Sequence, residues 1–243
     1  MHCGMGVFFR DSGSIRIHDK TMIRSRNTLR IGLLSGSIFI LFFWALRAFV
    51  AEYDSVLTMT GTTRDLVFSL ADEDGDLPQP KSARATRDLL SACGRALTVV
   101  PMVKADAALA ARVAGKCNAV ARAILAHSPA NSRALAVDLL TAGRIDAERL
   151  RLAQAAAPYE PWPLNIRLQA IAKADMLSPQ AEALAEADFQ RALMSRWGQE
   201  EIVRIYKTRA ALRPAIGRAA EKTGQRDQKA FIDLLRRKTG AAG

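Results

Sequence analysis

The stretch SRALAVDLLTAGRIDAERLRLAQAAAPYEP, Ser132 to Pro161, decides the fold. Leu135, Ala136 and Leu139 recur at helical spacing before Gly143, and Leu152 and Ala155 do so after it. Two amphipathic helices joined at a glycine turn follow from that period. Small residues such as Ala136 and Ala155 let such helices approach closely, while Leu135, Leu139 and Leu152 fill the seam between them.

The same period runs outward from this pair. From Ser82 to the C-terminus the chain is rich in Ala, Leu and Arg, and no β-branched alternating run interrupts it. The spacing predicts helices over 82–97, 105–126, 131–141, 144–156, 163–174, 179–197, 199–212, 214–222 and 226–238. A weaker periodicity occupies 54–71. Ser178-Pro179 and Asn131-Ser132 are start signals, an N-cap followed by a residue suited to the first turn. Leu184, Ala185, Phe189, Ala192, Leu193 and Trp197 form one apolar stripe, and Ile202, Ile205, Tyr206 and Leu212 the next. Short joints imply antiparallel neighbours. The fold class is all-α, with an N-terminal transmembrane helix followed by a helical-hairpin stack or bundle.

The transmembrane expectation rests on Ile31 to Leu46, which carries no charge, and on Ala48 to Ala51 beyond the single Arg47. A spanning helix needs about 20 apolar residues, and an Arg near one end can extend its stem toward the headgroups. Trp44 and Tyr53 suit the interface at that end. A buried core helix and a cleaved secretion signal are the alternatives. Phe49-Val50-Ala51 and Leu46-Arg47-Ala48 make poor cleavage sites. Six Lys/Arg precede the span against Asp11 and Asp19, whereas Glu52 and Asp54 follow it with no cation before Arg64. The positive-inside bias then puts the N-terminus in the cytoplasm and the rest in the periplasm, as a single-pass inner-membrane protein. Met22 opens a compact basic lead and is an alternative start to Met1 and Met5.

The net charge of +11 is uneven. Residues 1–50 hold +5, residues from Arg196 onward +7, and the stretch between them about −1. Two basic patches on opposite sides of a membrane do not make a nucleic-acid binder. Cys93 and Cys117 both fall on the translocated side, where one disulfide between them is expected and two buried free thiols are the alternative. Cys3 lies outside any lipidation motif.

Around Gly143 the Ser132–Pro161 segment resembles a tetratricopeptide repeat, with Pro161 one residue late and Glu148 where that family has a small residue. AILAHSPAN, Ala123 to Asn131, is similar to the end of a preceding unit. The resemblance covers about 60 residues and implies protein–protein scaffolding on a concave surface. The whole layout of basic lead, anchor and helical exterior also resembles accessory proteins of Gram-negative envelope and polysaccharide assembly.

The chemistry is sparse. His127 is the one histidine after the expected span, and it has no cluster of ligands beside it. No nucleophile elbow or phosphate loop is present. Asp72, Asp74 and Asp76 resemble a calcium loop, but the glycine is misplaced and the twelfth position is Ala83. No catalytic residue, metal or cofactor is therefore expected. Candidate partner contacts are Tyr159 and Trp162, which the prolines of PYEPWP hold in extended or turn geometry; a plug between helix pairs is the other use of Trp162. A candidate anionic surface, for lipid or glycan, is Arg204, Lys207, Arg213, Arg236, Arg237 and Lys238.

The expected organisation is a basic tail over 1–30, the anchor over 31–51 and a membrane-proximal segment with an acidic linker over 52–81. A repeat-like domain over 82–197 and basic helices over 198–243 complete it. The expected function is a non-enzymatic adapter in envelope assembly. Binding of an anionic polymer or lipid is the alternative, and an enzyme acting on envelope glycans the third reading.

Overall fold

Among the described residues, six helix starts are held by a side chain. Ser82, Asp106, Asn131, Asp146, Ser178 and Ser195 each accept a hydrogen bond from a backbone N–H two or three residues on. These caps satisfy donors that the first turn leaves without partners. The computed structural model describes residues 35–50, 53, 63–72, 82–100 and 106–240, and every regular element among them is helical. The chain divides into a unit ending at Val50 and a unit starting at Ala51.

In the first unit, α1 covers residues 35–50. Its large apolar side chains, among them Phe39, Leu41, Phe43 and Trp44, are all exposed. Among the described residues no helix is long and apolar enough to cross a membrane. Residues 31–34 and 51, which complete the expected span, lie outside the described residues, as do the tail before them and the acid loop after Asp72.

The second unit runs α2 (Thr63–Ala71), α3 (Ala83–Val99), α4 (Ala107–His127), α5 (Ser132–Thr141), α6 (Ala147–Ala156) and α7 (Pro161–Lys173). It continues with α8 (Pro179–Leu193), α9 (Arg196–Thr208), a 3-10 turn (Ala210–Leu212), α10 (Arg213–Glu221) and α11 (Gln225–Gly240). Helix α5 packs on α3 and on α7, making one layer; α8 packs on α6 and on α10, making another. Helix α4 covers α2, α3 and α5, and α11 closes the far end against α9. Leu90, Val137, Leu168, Phe189 and Ile202 are fully buried along the seam, each stabilising the fold by about 1.5–3 kcal/mol relative to exposure.

Three expectations are corrected. The inward face of α6 is Leu150, Ala153, Gln154 and Ala157, whereas Leu152 and Ala155 are exposed. The Asp146 cap starts this helix at Ala147 and turns Arg149 toward Asp138, and Gln154 Nε2 donates to the Leu184 carbonyl at 2.7 Å. The segment predicted as one helix over 179–197 breaks at Met194. Gly198 packs so tightly on the Ala192 carbonyl that a Cβ would collide with it, and Ser195 caps a new helix that carries Trp197. Helix α7 starts at Pro161, so Trp162 stands in its first turn and not in an extended linker. The expected turn at Gly143 is present, in the left-handed conformation at φ 66°.

Two internal links fix the layers. Arg167 and Asp188 are both fully buried and paired at 2.8 and 3.0 Å. Arg167 also donates to the Ala153 and Ala157 carbonyls at 3.3 and 3.0 Å, and Asp188 accepts from Arg191 at 3.0 Å. Cys93 and Cys117, both buried, sit at disulfide-bonding distance with their Cα atoms 5.6 Å apart, joining α3 to α4.

Replacing Asp188 by Asn or Arg167 by Met should each cost about 3–5 kcal/mol, because either leaves a buried group without its counter-charge or donor. Urea unfolding of both singles and the double variant should give a coupling of at least about 1 kcal/mol; additive losses would refute the pair as a unit. Non-reducing peptide mapping of oxidised protein should recover Cys93 joined to Cys117, and reduction should lower stability by about 2–4 kcal/mol. Two alkylatable thiols would contradict the pairing.

Candidate functional site

Where α3, α5 and α7 meet, they leave an open groove of about 440 Å³. One wall is α3, whose Arg87, Ser91 and Arg95 recur every four residues and line it. The opposite wall is α7, whose Trp162, Asn165, Ile166 and Gln169 follow the i, i+3, i+4, i+7 pattern of one helix face. Arg133 enters from α5.

Gly94 makes the groove possible. A Cβ on it would lie 2.7 Å from Trp162 Cζ2 and 3.0 Å from Ile166 Cδ1, so the indole edge rests directly on the α3 backbone. Arg133 stacks on the indole with its guanidinium carbon 4.6 Å from the ring centroid. It donates to Ser91 Oγ at 2.9 Å, and that hydroxyl donates to the Arg87 carbonyl at 2.7 Å. Burial pulls the Arg133 guanidinium below its ordinary value; Glu160 opposes this, Arg87 adds to it and Asp88 opposes it.

At the end of the seam Lys173 Nζ donates to the Leu97 carbonyl at 2.9 Å, and burial lowers its ammonium from the ordinary lysine value. Among the described residues, the side chains of Arg87, Arg95, Asn165 and Gln169 have no hydrogen-bond or ion-pair partner. The groove therefore offers two guanidinium groups and two carboxamides to whatever enters it.

The two aromatics expected to act together are used differently. Trp162 is half-buried in the groove, whereas Tyr159 is 70% exposed with Arg191 of α8 5.8 Å from its ring centroid. The groove polar residues were not among the candidates read from the sequence. Their signal was the spacing of Trp162, Asn165 and Gln169, three non-aliphatic residues on one side of α7.

At least half of the basic C-terminal set is engaged within the fold. Arg204 holds Glu201 at 2.8 and 2.5 Å, Lys207 donates to the Lys238 carbonyl at 2.8 Å, and Arg213 donates to the Tyr206 carbonyl at 2.9 Å while stacking on that ring. Arg236, Arg237 and Lys238 lie exposed on α11. Between α8 and α10, Arg218 bridges Glu182 and Glu186 at 2.6 and 2.8 Å, and Lys222 joins Glu186 at 2.6 Å.

His127 is exposed at the end of α4. Among the described residues no group of His, Cys, Asp and Glu is placed to hold a metal ion. No protein-family model, curated protein or solved structure matches the chain.

The Glu186 cluster has a pH signature. Hydrogen bonds from Lys222 and then Arg218 hold the Glu186 carboxyl below its ordinary value. The folded state therefore releases this proton more readily than the unfolded chain, whose glutamates titrate near about 4.3. The stabilisation is present above that pH and lost as pH falls through the depressed folded value. Thermal melts of the native chain and of Glu186→Gln should differ at neutral pH and converge in acid. A constant gap down to the acid limit would refute the assignment.

Proposed function

We propose that the chain is a non-enzymatic adapter, anchored in the inner membrane by the segment around α1, which holds its helical domain in the periplasm to bind a partner of envelope assembly. The observation that carries the adapter reading is the α3/α5/α7 groove, whose aromatic floor is fixed and whose Arg87, Arg95, Asn165 and Gln169 side chains have no partner among the described residues. A helix apolar on every side, with all its large side chains exposed as in α1, has no stable place in water. Sixteen helical residues rise about 24 Å, so a bilayer core of about 30 Å calls for the flanking apolar residues as well. The buried Cys93–Cys117 pair suits an oxidising compartment, and the basic lead before α1 fits the orientation. Stacked hairpins that meet layer to layer are also the arrangement the tetratricopeptide resemblance implies.

The anionic-surface reading is weaker by the same standard, since Arg204, Lys207 and Arg213 already serve neighbouring elements.

Two measurements test the adapter. Alkaline phosphatase fused after Gly243 should be active, and green fluorescent protein fused there by the general export route should stay dark; the reverse would place the domain in the cytoplasm. A photo-crosslinking residue at Gln169 should join a protein in living cells, whereas one at Ala155 on the exposed face of α6 should not. Equal crosslinking at both positions, or none at either, would count against an adapter acting through this groove.

A further inference from the structure

We propose that the groove between α3 and α7 binds an extended, acidic peptide segment of a partner protein. The inference rests on the adapter reading and adds the chemistry of what is bound.

The carboxamides set the geometry. Asn165 and Gln169 lie four residues apart on α7, so they repeat at about 6 Å along its axis. Alternate residues of an extended chain lie about 6.6–6.8 Å apart. A carboxamide offers one acceptor and two donors, the complement of a peptide C=O and N–H. Two of them at this spacing can pair with successive outward-facing peptide groups of a strand-like segment. Neither has a hydrogen-bond partner among the described residues, so neither has to leave one.

The charges set the composition. Arg87 and Arg95 are eight residues apart on α3, about 12 Å along the helix, close to four residues of extended chain at about 13 Å. Carboxylates on one side of such a segment would meet both guanidinium groups. Arg133 stands on the same groove, held by Trp162 and Ser91 through one face and one nitrogen, with its other N–H groups uncommitted among the described residues. The groove contains one acid, Asp88, and Arg84 lies 3.9 Å from it. The surplus is positive, and a guanidinium fork matches a carboxylate.

An acidic glycan shares the charge but not the peptide repeat. The occupied face of Trp162 also denies a sugar ring one side of the indole. A peptide is therefore the better match.

The test uses the full chain in detergent micelles. The probe is a fluorescein-labelled peptide of alternating Glu and Thr, read by fluorescence anisotropy. It should bind, and binding should weaken as salt rises. Arg87→Gln with Arg95→Gln should weaken it at least about tenfold, and Asn165→Ala with Gln169→Ala by a similar factor. These side chains make no hydrogen bond among the described residues, so unchanged thermal melts are expected and would show that each loss is local. Arg236→Gln with Arg237→Gln should leave affinity unchanged.

Equal binding of a Lys/Thr peptide would overturn the proposal. So would full affinity after removal of both carboxamides, or tight binding of an oligogalacturonate with none of the peptide. If Gln169 crosslinks a partner in cells while the Glu/Thr peptide fails to bind, the adapter stands and the acidic-peptide inference falls. Absence of any crosslink would instead remove the adapter reading itself.

Discussion

A guanidinium and a carboxylate with no exposed surface, Arg167 and Asp188, set the geometry on which the rest of the helical domain depends. A buried charge pair does not by itself make a protein more stable than apolar packing would, because desolvation offsets most of the attraction. What it does is place two demands on the orientation of α7. Arg167 must reach Asp188 on α8 and also the Ala153 and Ala157 carbonyls at the end of α6. The observed rotation of α7 does both. At about 100° per residue, that rotation carries Trp162, Asn165 and Gln169 to within about 40° of the opposite side of the helix. The groove is thus the outer consequence of an inner constraint.

Arg167 is one instance of a habit that runs through the domain. The last carbonyls of a helix lack intrahelical partners and carry partial negative charge. Here long cations from other elements supply the donors. Lys116 donates to the Asp72 carbonyl past α2, Lys173 to Leu97 near the end of α3, and Arg209 to Ala174 past α7. Arg213 serves Tyr206 near the end of α9, and Lys207 serves Lys238 in the last turn of α11. Each contact ties the end of one helix to a side chain rooted elsewhere, so it orients elements as well as capping them. Much of the basic excess is therefore structural. A net charge read as a polyanion surface overlooks that helix termini are themselves anionic partners.

The same logic separates what was legible in the sequence from what was not. Helix existence was readable because the apolar period and the capping residues Asn131, Ser178 and Gly143 agree with one another. The break after Leu193 was not, since it turns on a contact between Gly198 and the Ala192 carbonyl that no periodicity encodes. The phase of α6 was misread because Leu152 is as apolar as Leu150, and only the Asp146 cap and the demand of Gln154 for the Leu184 carbonyl choose between them. Arg167 did leave a trace: Leu164, Ala170 and Ile171, its neighbours on one face, are apolar, so a cation stood where burial was required. Trp162 was noticed as an aromatic between prolines, but Asn165 and Gln169 look like ordinary solvated residues until α3 is placed opposite them. A site assembled from three helices becomes visible only with their packing.

That packing also governs how the groove can act. Successive residues of a helix point about 100° apart, so Cys93, directed into α4, leaves Gly94 directed at α7. The Cys93–Cys117 contact orients α3, the missing side chain at Gly94 admits the indole, and the indole with Ser91 fixes Arg133. Lys173 then pins α7 to the end of α3. Each wall is held by a contact outside the groove, so a ligand would not have to order the walls on arrival. Binding to a preformed cleft avoids most of that ordering cost. Affinity would then depend on the few side chains that the fold does not use, Arg87, Arg95, Asn165 and Gln169, and on how well a ligand's charges and hydrogen-bonding groups match their spacing.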